Sequence, residues 1–311
     1  MTILETLATT LPVLFLVALG LLLRRIRLIS AAAVAELKTL IVSLTLPLVL
    51  FKAFATMQFE IHYLWIILAV FLACTLVMLL AARLSFVPGL TSPYASYLMA
   101  GFEAGMLGYA VFGAIYGQDN ISRFAVIDLG QVLFVFFVLV TRLEHHQGRR
   151  LNMGATLLNI IKTPVIVAIL LGVTANLSGF YRLLEAQVLT ASLLHTAELL
   201  AAMTMPLVGL VIGYELHFNR RSLGQSFLTV LLRLLVWVGL ALALIHLLLR
   251  PLLGIDPLFE AAALVMAVLP APFVIPLYLQ KGAEKERDYI LNTLSLGTLA
   301  ALLGAVIIKL L

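Results

Sequence analysis

The chain has 311 residues, of which 63% are hydrophobic and 11% charged, with a net charge of +5 and a mean hydropathy of +1.14. Apolar runs of bilayer-crossing length recur from end to end, and the longest polar interval, TRLEHHQGRRLNMG at 141–154, is too short to bury a core of its own. This excludes a sizeable soluble domain and gives no footing for nucleic-acid binding, because the basic residues sit at the ends of apolar runs, where they set topology.

The first run, 4–23, follows MTILE, which lacks a basic leader, and precedes RRIR, which offers no small-residue cleavage site. It reads as a retained first helix. Runs at 34–55, 63–83, 93–117 and 123–142 complete a first half, and runs at 156–176, 189–213, 225–249, 258–280 and 288–309 a second. The expected fold is an all-α polytopic membrane protein of about ten transmembrane helices in a single membrane domain. Cys74 is the lone cysteine, so no internal disulfide forms. Arg24, Arg25, Arg27, Arg83, Arg142, Arg149, Arg150, Arg220, Arg221, Lys281, Lys285 and Arg287 fall on odd-numbered loops. The other face has Lys52, Arg123, Arg182, Arg250 and Lys309. That bias predicts an inner-membrane protein with both termini outside the cytoplasm.

The halves 1–150 and 151–311 read as a repeat. PVLFLVALG (12–20) matches PVIVAILLG (164–172), TLPLV (45–49) matches TMPLV (204–208), and MAGFEAG (99–105) falls on MAVLPAP (266–272), in the same order. With five spans in each half, the two halves must be inverted in the membrane, the plan of many secondary transporters.

The fourth and ninth runs carry helix breakers at mid-depth. Pro270, Pro272 and Pro276 donate no backbone N–H, so the carbonyls of Met266, Val268 and Pro272 are expected to lose their helical partners. Gly101, Gly105, Gly108 and Gly113 loosen the fourth span. Ordinary small-residue packing and a simple kink are the plainer readings. Irregular backbone at such depth persists only where it is buried in protein or lines a watery cavity. Two broken helices facing one another would turn N–H groups toward one point, which attracts an anion.

At these residues the chain resembles the auxin efflux carrier family, the bacterial relatives of plant auxin exporters. The resemblance rests on LPVLFLVALGLLLRR at the start, LPLVLF in the second span, the Gly-rich fourth span closing in YG, and the proline-bearing ninth span followed by NTLSLGTLAALLG. It covers essentially the whole chain. It implies ten helices in two inverted five-helix repeats, crossed discontinuous helices four and nine, a scaffold part and a moving part, and organic-anion substrates such as dicarboxylates. One departure stands out: Glu103 lies where many relatives carry an asparagine.

A carboxyl near mid-span is costly and usually functional, which makes Glu103 the leading site residue. Beside a bound anion its neutral form is favoured, so proton and anion would load together. A Na⁺ site built from Glu103 and freed carbonyls is the rival, and a carboxyl paired to a basic side chain the plain alternative. The proposed substrate contacts are Glu103, Gly105, Gly108, Tyr109, Pro270, Ala271, Pro272, Phe273, Thr45 and Thr204. Asp128 and Arg233 join Glu103 as coupling candidates. Arg233 either offers a counter-charge or snorkels toward the cytoplasmic face, with snorkelling the better fit to its depth. Asp128 and Gln131 share a helix face. Lys52, Lys162 and Glu198 read as span anchors, and His145 and His146 as solvated loop residues rather than metal ligands.

No HExxH, GxSxG or deep aspartate pair appears, so the chain is not read as an enzyme. The expectation is a secondary active transporter of a small organic anion, coupled to H⁺ in preference to Na⁺, with no cofactor and no metal. A channel or a membrane receptor is the alternative. The lipid bilayer is the expected surrounding partner, and a homodimer the candidate assembly.

Overall fold

A computed structural model describes residues 3–147, 161–254, 256–279 and 283–310. Among them the chain is helical throughout, with no strand. In chain order the helices are α1 (Ile3–Arg25), α2 (Ala31–Thr56), α3 (Tyr63–Arg83), α4 (Ala95–Met99), α5 (Tyr109–Tyr116), α6 (Gln118–His146), α7 (Pro164–Leu177), α8 (Phe180–Ala186), α9 (Val188–Glu215), α10 (Leu223–Pro251), α11 (Pro257–Val268) and α12 (Glu284–Leu310). Seven helical stretches among the described residues are long and apolar enough to cross a membrane, counting Ala95–Tyr116 as one. There are eight if α7 and α8, bent by 81° at Gly179, form one span. The protein is therefore an all-helical, multi-pass membrane protein.

Helix punctuation follows the sequence. Ser30 caps α2 by accepting from the Ala33 N–H, and Asp256 caps α11 by accepting from Leu258, with Pro257 just inside the helix. Pro164 opens α7 after an extended Thr163. At two of the prolines inside spans the helix widens: a π turn at Ile41–Thr45 precedes Pro47, and another at Ile245–Leu253 contains Pro251. Each proline removes an N–H and crowds the carbonyl one turn back, and the wider turn relieves that clash. Helix α8 falls in an interval the sequence reading leaves as a loop. The start of the sixth run, with Arg149 and Arg150, and Lys281 lie outside the described residues.

The helices gather into two compact units, and these do not follow the two halves of the sequence. The first comprises Met1–Glu60, Gly105–Ala125 and Met153–Glu215; the second comprises Ile61–Ala104, Val126–Asn152 and Leu216–Leu311. Each draws on both halves. Within the first unit α1 packs along α9 and α7 along α2. Glycines permit the approach: a Cβ at Gly20 would fall on the Leu210 carbonyl oxygen, and one at Gly172 would lie 2.6 Å from that of Phe51. Lys52 and Glu198, both expected to anchor span ends, pair with each other at 2.7 Å. In the second unit α12 lies against α10 and α11, with Gly297 and Gly304 meeting Pro270 and Val268.

Candidate functional site

The second unit contains the break of each interrupted span. After α4 the backbone leaves the helix at Ala100 and resumes in a π turn at Ala104–Gly108. Gly101 makes this possible. Its φ is +67°, and a Cβ there would lie 3.0 Å from Pro272 Cγ and 3.1 Å from Phe134 Cε1, so both conformation and space call for glycine. After α11 the backbone is extended from Leu269 and resumes as a short 3₁₀ turn, Ile275–Tyr278.

The two breaks are hydrogen-bonded to each other. The Glu103 N–H donates to the Pro270 carbonyl at 2.9 Å, and the Glu103 carboxylate accepts from the Phe273 N–H at 2.7 Å. Glu103 is half-buried, whereas Pro270, Ala271 and Pro272 are buried. The bonds expected to be missing are in part re-formed: Met266 O accepts from the Leu269 N–H and Pro272 O from the Ile275 N–H. The carbonyls turned out of the helices are instead those of Leu98, Met99, Gly101, Leu269 and Pro270.

Arg233 of α10 answers most of them. Its Nη1 donates to Leu98 O at 2.9 Å, its Nε to Leu269 O at 3.2 Å, and its Nη2 to Gly101 O and, at 3.4 Å, to Pro270 O. The Arg233 side chain does not snorkel. It is 2% exposed, because five N–H donors held in a rigid fork suit a cluster of carbonyls better than the bilayer surface does. Phe102 lies under the guanidinium at 5.1 Å, and Trp237 packs on Phe102 with ring centroids 4.5 Å apart. The Trp237 indole N–H donates to Met99 O at 2.8 Å. Arg233 and Trp237 are spaced i, i+4 on α10, so one helix face serves the first break.

Asp128 and Gln131, also of this unit, are buried, with Gln131 Nε2 donating to Asp128 Oδ1 at 3.1 Å. Five of the sequence-derived residues belong to the first unit. Gly105 and Gly108 sit in the π turn that continues from the first break, and Tyr109 is buried with its ring edge-on to Phe124 at 5.1 Å. Thr45 and Thr204 are buried, and neither hydroxyl has a hydrogen-bond partner among the described residues. Sequence reasoning missed the binding role of Trp237 and the stapling role of Arg233. The available signal was their helical spacing in the middle of an apolar span, past the Gln225, Ser226 and Thr229 donors of its first two turns.

The arrangement is a small polar centre in an apolar unit: one cation spread over backbone oxygens, one carboxylate holding a backbone N–H, and two ends of broken helix bonded to each other. A scan against protein-family models finds no match to the chain, and a search of curated proteins finds none either.

Proposed function

We propose that the chain is a secondary active transporter of a small organic anion, working by alternating access and coupled to protons through Glu103. The observation that carries this reading is the pair of hydrogen bonds by which Glu103 joins the two breaks. Its carboxylate holds the Phe273 N–H, a donor that a substrate carboxylate would also use. Protonating Glu103 weakens that hold and removes a negative charge, so an incoming anion gains a donor and loses a repulsion in one step. Releasing the proton on the other side reverses both changes and expels the anion.

The repeat expected from the sequence, with ten spans in inverted halves, is supported by equivalent contacts in the first unit. In the matched segments Gly20 corresponds to Gly172 and Leu210 to Phe51, and Gly20 meets the Leu210 carbonyl as Gly172 meets that of Phe51. Thr45 and Thr204, equivalent in TLPLV and TMPLV, are both buried with no hydroxyl partner among the described residues. Such symmetry, together with breaks in equivalent spans, favours a carrier over a channel. The resemblance to the auxin efflux carrier family points to the same class and to carboxylate substrates. The unit holding both breaks is the part expected to carry substrate.

The test is counterflow in proteoliposomes over a panel of mono- and dicarboxylates at two pH values. Saturable exchange of one acid, faster at the lower pH, supports the proposal. Dependence on Na⁺ at fixed ionic strength moves the coupling to Na⁺. Ionic current far above any exchange rate would make the protein a channel. Orientation is checked with Cys74→Ala protein carrying a single new cysteine: at Ser85 it should be labelled from the cytoplasmic side, and at Ser178 from outside.

A further inference from the structure

The second unit has a cavity of about 320 Å³ that the transport reading does not use. Ala69 and Ala73 of α3, Phe102, Ala267 of α11, and Trp237 and Leu248 of α10 line it. Every lining side chain is apolar except for the Trp237 indole N–H, which is already committed to Met99 O. A water has nothing to bind there, and a carboxylate has nothing to orient it. The cavity is also elongated. Its lining runs along α10 from Trp237 to Leu248, about 16 Å of helix.

Its two ends differ in kind. The inner end is the Phe102–Trp237 pair at the level of the first break. The outer end stops within a turn of Arg250, whose Nε and Nη2 hold the Glu260 carboxylate at 2.7 and 2.6 Å in an exposed pair. Such a charged pair at the end of a span marks the water interface. Exposed apolar side chains flank the slot, among them Leu240 and Leu247, so its mouth faces the hydrocarbon.

We propose that this slot binds one acyl chain of a bilayer phospholipid, with the headgroup at the level of Arg250 and the chain end against Phe102 and Trp237. An apolar slot extending along α10 from Trp237 toward Arg250 has the length and polarity of a lipid tail, and leaving it empty would forfeit the contacts of its walls. The six alanines of the lining make the room; larger residues there would close it. The chain end supports Phe102, and Phe102 in turn lies against the guanidinium that holds both breaks.

Trp237 reports directly on occupancy. The chain has two tryptophans, and Trp65→Phe leaves Trp237, 4% exposed, as the only one. This variant is reconstituted in phosphatidylcholine containing a rising fraction of phosphatidylcholine brominated near the end of one chain, where the proposal places Trp237, since bromine quenches indole only at close range. Quenching that rises in proportion to the brominated fraction and leaves the indole nearly dark in fully brominated lipid is expected, because one slot exchanging between two phosphatidylcholines of equal affinity holds the brominated one at its mole fraction. Ala73→Phe and Ala243→Phe, each in the Trp65→Phe background, should lose most of it while keeping their unfolding temperature. Quenching that stays weak in fully brominated lipid, that rises more steeply than the brominated fraction as contact with several lipids would make it, or that persists in a folded occluded variant, overturns the proposal. So does quenching by a short dibromoalkane but not by the brominated lipid. If neither occluded variant folds, the shape of the Trp65→Phe curve alone decides.

Discussion

The two breaks at the centre of the second unit are made by different chemistry, and the difference explains why they fit. The first is a glycine break: Gly101 takes a positive φ, and every residue around it keeps its N–H. The second is a proline break: Pro270 and Pro272 bring carbonyls and no donors. One side thus has an N–H to give, from Glu103, and the other an oxygen to receive it, on Pro270. The excess of acceptors that remains is what Arg233 and Trp237 supply with donors from a third helix. Two proline breaks would have doubled the shortage, and two glycine breaks would have left the backbone free to re-form helix.

The largest effect should come from removing the shared donor. Arg233→Met keeps much of the volume but strips the donor from the carbonyls of Leu98, Gly101 and Leu269, while Pro270 O keeps the Glu103 N–H. At roughly 1–3 kcal/mol for each buried group left unsatisfied, even partial rescue by water leaves a loss of about 3 kcal/mol or more. Thermal unfolding in detergent should show a large drop or no folded protein. Arg233→Lys, with the charge but not the fork, should fall between that variant and the wild type. A small shift for Arg233→Met would mean that the breaks hold together without it.

Next in size is a pair of substitutions that set the two kinds of break against each other. Gly101→Ala forces a left-handed conformation costing about 1–2 kcal/mol, plus crowding against Pro272 and Phe134, so it should lower the unfolding temperature clearly. Replacing Pro270, Pro272 and Pro276 together by Ala returns three N–H groups and should leave the protein folded, because restored helix satisfies its own backbone. The same triple variant should lose transport. If Gly101→Ala is harmless, or if the triple variant transports normally, the complementarity of the breaks is incidental to function.

How much of this was legible beforehand follows from the range of each interaction. The breakers at 101–108 and 270–276 announce themselves locally, since Gly and Pro act on their own backbone, and the interruptions occur there. Span limits were legible for the same reason. Partnerships were not: Arg233 reaches carbonyls more than a hundred residues away in the first break, and no local pattern encodes that reach. Its depth suggested snorkelling only because the acceptors were unknown. The placement of Met266 O and Pro272 O among the freed groups failed because a chain leaving a helix at Leu269 can still close a tighter turn behind itself. Glu103 was singled out by its cost in lipid, and its geometry adds what cost alone could not, namely the Phe273 N–H it holds.

The smallest change in structure, and the sharpest test of mechanism, is Glu103→Gln. The amide oxygen can still accept from the Phe273 N–H, so the joint between the breaks persists and stability should change by less than about 1 kcal/mol. What is lost is the ability to take and release a proton. Under the proposed coupling an anion binds best while Glu103 is neutral, so wild-type binding measured by thermal shift or calorimetry should weaken as pH rises through the titration of this carboxyl. In Glu103→Gln the side chain is permanently neutral, and binding should stay near its low-pH strength across the same range. Accumulation against a gradient should nevertheless fail, because the variant has no proton to return, while exchange of internal for external substrate continues. A variant that accumulates substrate with wild-type pH dependence would reduce Glu103 to a clasp between the two breaks, and Asp128 would then be the group to examine. Loss of exchange along with accumulation would instead mean that the anion competes for the Phe273 N–H only when the group there can be displaced by protonation, since an amide that never changes state never lets go.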